Sequence, residues 1–167
     1  MLRVAHFSDL HYAGATLTEV DRCFSFAVDQ AIACGVDCAV ISGDSTDHAL
    51  EVHAPAVAAL ARTIRRLADH CPVLILQGTF SHEPPGTLNV FRLLGGRFRI
   101  HVADRLQQVA LDQDGRWLES EGWRFDQMPP GARVLFSCVP TVNKAVVAAA
   151  VGAAEAAEAV GERLTAL

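Results

Sequence analysis

Asp9, His11, Asp44 and His82 are the residues of this chain whose types and spacing suit chemistry on phosphate. Asp9-Leu10-His11 comes just after an apolar run, Leu2-Arg3-Val4-Ala5-His6-Phe7. Gly43-Asp44 follows a second run, Cys38-Ala39-Val40-Ile41, and the loop from Gly78 to Glu83 follows a third, Val73-Leu74-Ile75-Leu76. Each time a strand-like segment ends, metal ligands begin. Asp9 and His11, two residues apart in a loop, can turn toward a common ion. Asp44 can approach the same point, because Gly43 permits a tight turn. A carboxylate placed there can bridge two ions, and a two-ion site activates water and stabilises both the attacking and the leaving oxygens. His82 is placed to protonate the leaving oxygen. Asp47 and His48, in the second loop, are candidates to face substrate.

The elements that must position these residues are legible as alternating periods. Residues 2–7, 37–42 and 72–77 read as short apolar strands. Residues 17–34 read as a helix, with Thr16 or Thr18 as cap and Gly35 as its end. Residues 54–70 read as another, with Pro55 in the first turn and Val57, Leu60, Ala61, Ile64 and Leu67 on one face. Such alternation predicts an α/β fold in which a parallel sheet has helices on both faces. Ligands of that architecture bind beyond the carboxyl ends of the strands, where all three loops lie. Residues 87–94 read as a short helix. Residues 98–102, 105–111, 115–118, 122–126 and 132–139 read as further strands, and the Ala-rich residues 143–165 as a helix. No linker divides the chain, so residues 1–167 are expected to form a single domain.

The 167 residues are 51% hydrophobic and 20% charged, enough for one domain with a sizeable core. No apolar stretch approaches the roughly 20 residues of a membrane span. The N-terminus has no signal-peptide pattern, so a cytoplasmic protein with no membrane partner is expected. The five cysteines lack zinc-site spacing and read as ordinary thiols. A net charge of −5 argues against an extended basic nucleic-acid footprint. Thirteen of the fourteen basic residues are arginines, clustered at Arg62, Arg65, Arg66 and at Arg92, Arg97, Arg99, Arg105. They read first as solvated surface and second as phosphate contacts. His6 reads as a sheet-face residue, His53, His70 and His101 as surface residues, and Trp117 and Trp123 as packing for a small β layer.

Taken together, the three loops resemble the calcineurin-like metallophosphoesterase superfamily, whose blocks read D-x-H, G-D-x-x-[D/H] and G-N-H-[D/E]. Here they are Asp9-Leu10-His11, Gly43-Asp44-Ser45-Thr46-Asp47 and Gly78-Thr79-Phe80-Ser81-His82-Glu83. Cys138-Val139-Pro140-Thr141 followed by Lys144 looks like a segment of SbcD-type DNA exonucleases. The resemblance implies sheet layers flanked by helices, with the chain matching the first half or so of the catalytic domain. It implies Asp9 and His11 as ligands of a first ion, Asp44 as the bridge, and His82 as the phosphate-contacting acid. It implies two divalent ions, Mn2+ above others, phosphodiester hydrolysis of DNA, and a coiled-coil ATPase subunit as partner.

Two departures stand beside it. Ser81 occupies the position of the asparagine that would ligate the second ion, after an insertion of Thr79 and Phe80. Gln77 or Glu83 could substitute from nearby. No histidine follows His101, so the later histidine ligands of the family are missing. The expectation is therefore a chain incomplete at its C-terminus, whose Ala-rich end could promote self-association. Rival readings are a small-substrate phosphodiesterase or phosphatase of the same superfamily, and a degenerate, non-catalytic module of that fold.

Overall fold

The computed structural model describes residues 1–141 together with residues 158, 161, 162 and 165. The expected helix over 143–165 falls almost entirely outside the described residues. Four parallel strands form the main sheet in the order β1 (Val4–Phe7), β2 (Cys38–Ser42), β3 (Val73–Leu76) and β4 (Ile100–Ala103). Helices α1 (Leu17–Ala33) and α2 (Pro55–Ala68) make the first two crossovers. A 3₁₀ segment, Thr87–Leu93, lies in the third.

Both helices, α1 and α2, form where the sequence alternates at helical period, but neither N-cap side chain is hydrogen-bonded. Thr16 sits at the N-cap of α1 without capping it, so tertiary packing holds the helix. Phe24 and Val28 of α1 and Leu60, Ile64 and Leu67 of α2 pack on Ala39, Ile41, Val73 and Ile75. At about 25 cal/mol per Å2, burying such side chains is the main stabilising term of this layer.

The other face of the sheet departs from expectation. An antiparallel sheet covers it instead of helices, in the order β6 (Trp117–Glu119), β5 (Gln107–Asp112), β7 (Ala132–Cys138). Val109 and Cys138, with Trp117 and Phe136, pack against Leu74 and Ala103. Among the described residues the layering is thus helix, parallel sheet, antiparallel sheet. Residues 122–126 form no strand: the Phe125 N–H donates to the side-chain oxygen of Gln108 rather than to a ladder. Trp117 packs the small layer as expected, whereas Trp123 is half-buried with the Arg124 guanidinium over its ring.

The arginine clusters mostly behave as solvated surface. Arg65, Arg66, Arg92 and Arg105 all pair with carboxylates, at Asp69, Asp29, Asp104 and Glu119. All five cysteines are free thiols: Cys23 and Cys34 are exposed, while Cys38, Cys71 and Cys138 are buried. Burial pushes the buried thiols up, Cys71 and Cys138 to about 12. Among the described residues no helix is long and apolar enough to cross a membrane.

Candidate metal centre

Parallel pairing carries the end of β1 alongside the end of β2, and the ladder continues past both strands. The Asp9 N–H donates to the Gly43 carbonyl, His11 N–H to that of Asp44, and Tyr12 N–H to that of Ser45. The two loops therefore leave the sheet as a bonded pair. Their backbone is strained where the chemistry would occur: Asp9, His11 and Asp44 have φ of 54°, 49° and 52°. Among the described residues these are the only non-glycine positions with positive φ. Such a conformation costs on the order of 1–3 kcal/mol per residue and persists where surrounding structure imposes it. Here it aims three potential ligands together. One ligand atom each from Asp9, His11 and Asp44 lies within 4.8 Å of the others.

The third loop is pressed onto the second through two glycines. A Cβ on Gly78 would fall 2.3 Å from both the backbone nitrogen and Oδ1 of Asp44, and one on Gly43 would fall 2.8 Å from Gly78 Cα. Neither position accepts a side chain. In that contact Asp44 Oδ1 accepts hydrogen bonds from Thr79 N–H (2.7 Å) and Thr79 Oγ1–H (3.0 Å).

Glu83 fastens the loops from beneath. It is fully buried, and its carboxylate accepts the Ser45 N–H (2.5 Å) and the Gly78 N–H (2.6 Å). Buried Gln77 donates its side-chain amide to the Glu83 carbonyl. Glu83 is thus committed to backbone donors and is not free to replace a missing ligand. Nothing in the sequence distinguished it from a ligand, because a carboxylate serves equally well as anchor or donor.

His82 lies edge-on to His11, with ring centroids 4.9 Å apart. Its Nδ1–H donates to the Asp47 carbonyl oxygen, leaving Nε2 as the free nitrogen. Asp47 joins this group more closely than expected: one ligand atom each from His11, Asp47 and His82 also lies within 4.8 Å of the others. The Asp47 Oδ1 stands 3.6 Å from His11 Nδ1. His48 is exposed, with Nδ1 3.3 Å from Asp47 Oδ2, and belongs to neither group. Ser81 is exposed, and Thr79, not Ser81, is the residue bonded to Asp44.

Tyr12 was missed by sequence reasoning. It is fully buried, bridges to Thr46 by backbone pairing, and donates its hydroxyl to Asp21 Oδ1 at 2.9 Å. Burial, reinforced by Asp21, holds its phenol in the neutral form, well above the ordinary value. The first loop is thereby pinned to α1. His6 sits on the exposed side of β1 with Nε2 2.6 Å from Ser42 Oγ, as a sheet-face histidine should.

The donor sets decide what this geometry fits. Two carboxylates and an imidazole suit a divalent ion that accepts oxygen and nitrogen donors, Mn2+ included. His11 Nδ1 is buried without a hydrogen-bond partner and lies open to an ion of either donor set. Comparison with models of protein families finds no match to this chain, and comparison with curated proteins finds none either.

Proposed function

We propose that this chain carries a metal-dependent phosphodiesterase centre, with DNA as the substrate that the resemblance to SbcD-type nucleases favours. The observation that carries the reading is the left-handed backbone of Asp9, His11 and Asp44 at the point where their ligand atoms converge. Strain held by non-glycine residues marks a site whose geometry serves something other than stability. Asp9, His11 and Asp44 would hold the ion, Mn2+ by preference. When bound, it supplies positive charge against phosphate oxygens and eases deprotonation of water. Asp44 is kept in place by Thr79 and by the Gly43–Gly78 contact. The Asp47 carbonyl fixes the proton of His82 on Nδ1. A second proton at Nε2 would then pass to the leaving oxygen of the ester.

A small-ester substrate is the second reading, supported by the carboxylate pairing of most clustered arginines, which leaves little free basic surface for a duplex. The test compares Mn2+-dependent cleavage of linear duplex DNA and of bis(p-nitrophenyl) phosphate, with Mn2+ binding followed by calorimetry. Activity on either, reduced at least about a hundredfold by Asp44→Asn, supports the centre. Turnover of the aryl ester alone would remove DNA from the proposal. Absence of both turnover and Mn2+ binding would leave a non-catalytic module of this fold.

A further inference from the structure

We infer that His11, Asp47 and His82 form a second cation site, distinct in donor chemistry from Asp9–His11–Asp44 and selective for a borderline ion such as Zn2+. Three observations carry it. The ligand atoms of the three residues converge within 4.8 Å, as do those of the first group. His11 Nδ1 is buried with no hydrogen-bond partner. Its separation of 3.6 Å from Asp47 Oδ1 is too long for a hydrogen bond. That distance is close to the spacing of two donors on one tetrahedral ion, about 3.3 Å for bonds of about 2.0–2.1 Å.

The remaining valences agree. His82 spends Nδ1 on the Asp47 carbonyl, so Nε2 is its available donor. His11 belongs to both groups, and its two nitrogens can serve one ion each only once the ring has released its N–H proton to water and bridges as an imidazolate. The Asp47 side chain is 52% exposed, which gives an ion a path in from solvent. Two imidazoles and one carboxylate are the donors of zinc sites, whereas Mg2+ and Mn2+ favour oxygen-rich sets. An ion held here takes His82 Nε2 out of use. Zn2+ at this position would therefore oppose hydrolysis by the centre proposed above, in competition with the proton-donor role of His82.

The test is made on the full chain with Mn2+ present in excess, titrating Zn2+ by calorimetry and Co2+ by its visible absorption. Asp47→Asn and His82→Asn are each expected to weaken Zn2+ and Co2+ binding roughly tenfold or more, and Asp9→Asn to change it less than about threefold. Unchanged affinity in Asp47→Asn and His82→Asn would overturn the site. So would an equal loss in Asp9→Asn, because the two groups would then be one. The exposed Asp47 side chain makes its variant the one least able to act through misfolding. The binding readouts do not depend on turnover, so a chain without phosphodiesterase activity would still confirm or refute this site.

Discussion

His11, in the loop after β1, and His101, on β4 of the same sheet, are two imidazoles whose surroundings are opposites. His101 lies on β4, is 7% exposed, and rests in relaxed backbone with both ring nitrogens facing partners. Gln107 Nε2–H donates to its Nε2 at 3.1 Å, which places its own proton on Nδ1, 3.6 Å from Glu119 Oε1. It borders a cavity of about 450 Å3 with Arg92, Phe98 and Trp117, along the β4 edge. Even that edge is closed: Trp117 Nε1–H donates to the Arg99 carbonyl and Arg92 to that of Val102. His11, by contrast, has a φ of 49°, a buried Nδ1 without a partner, and carboxylates on two sides. One region is built to be satisfied, and the other is held away from satisfaction by its neighbours. That contrast is what supports the proposed centre, although the cavity lies beside the satisfied histidine.

The sharpest way to break the contrast is to push the strained loops apart. In Gly78→Ala the new Cβ would meet Asp44 backbone and carboxylate at 2.3 Å, with no flexible side chain to yield. We expect a loss of roughly 3 kcal/mol in denaturant unfolding, the upper range for overpacking. Mn2+ binding should fall with it, since the same shift moves Asp44 off Thr79. A variant of unchanged stability and metal affinity would show that the Gly43–Gly78 contact does not position Asp44.

A smaller effect isolates the strain itself. Asp9→Gly and Asp9→Ala both remove the carboxylate, so they differ only in backbone freedom. At an ordinary position glycine is the less stable of the two, by roughly 0.5–1 kcal/mol. At φ 54° the order should invert, with Asp9→Gly the more stable by about 1 kcal/mol, because alanine keeps the left-handed penalty. Thermal unfolding of the two variants without metal measures it. If alanine proves the more stable, the loop is not strained, and the observation behind the proposed centre is lost.

What the sequence disclosed and what it concealed follow the same division. Val73-Leu74-Ile75-Leu76 announced a strand buried on both faces, and the loops after the first three parallel strands were found where the carboxyl-end rule puts them. The second face was misjudged, because β5 carries Gln107, Gln108 and Asp112, whose burial depends on partners from other segments. Gln108 illustrates this, with its N–H bonded to Ser120 Oγ and its side-chain oxygen to Phe125 N–H. His101 was expected at the surface for the same reason: its partners Gln107 and Glu119 come from strands of the other sheet. Glu83 looked like a ligand and proved an anchor. Left-handed backbone at Asp9, His11 and Asp44 leaves no pattern in hydrophobicity, so the strongest feature of the site had no sequence signal.

His101 supplies the mildest test, and it bears on the satisfied half of the comparison. Burial lowers its proton affinity from the ordinary value of 6.5, and the attraction of Glu119 offsets this only in part. The unfolded chain therefore binds a proton near pH 6.5 that the folded chain refuses. By linkage, the associated stability is present in full above about pH 6.5 and is lost as pH falls from there toward the lowered folded value. Melting of the wild-type protein and of His101→Gln across pH 7.5 to 5 should show the wild type losing more stability on acidification. Asparagine is the poorer replacement, since its amide stops short of Gln107. Parallel melting curves would mean that Glu119 fully compensates burial and that folding leaves the proton affinity of His101 unchanged. The edge of β4 would then be an ion-paired surface rather than a sealed one, and the opposition between the two imidazoles would rest on backbone strain alone.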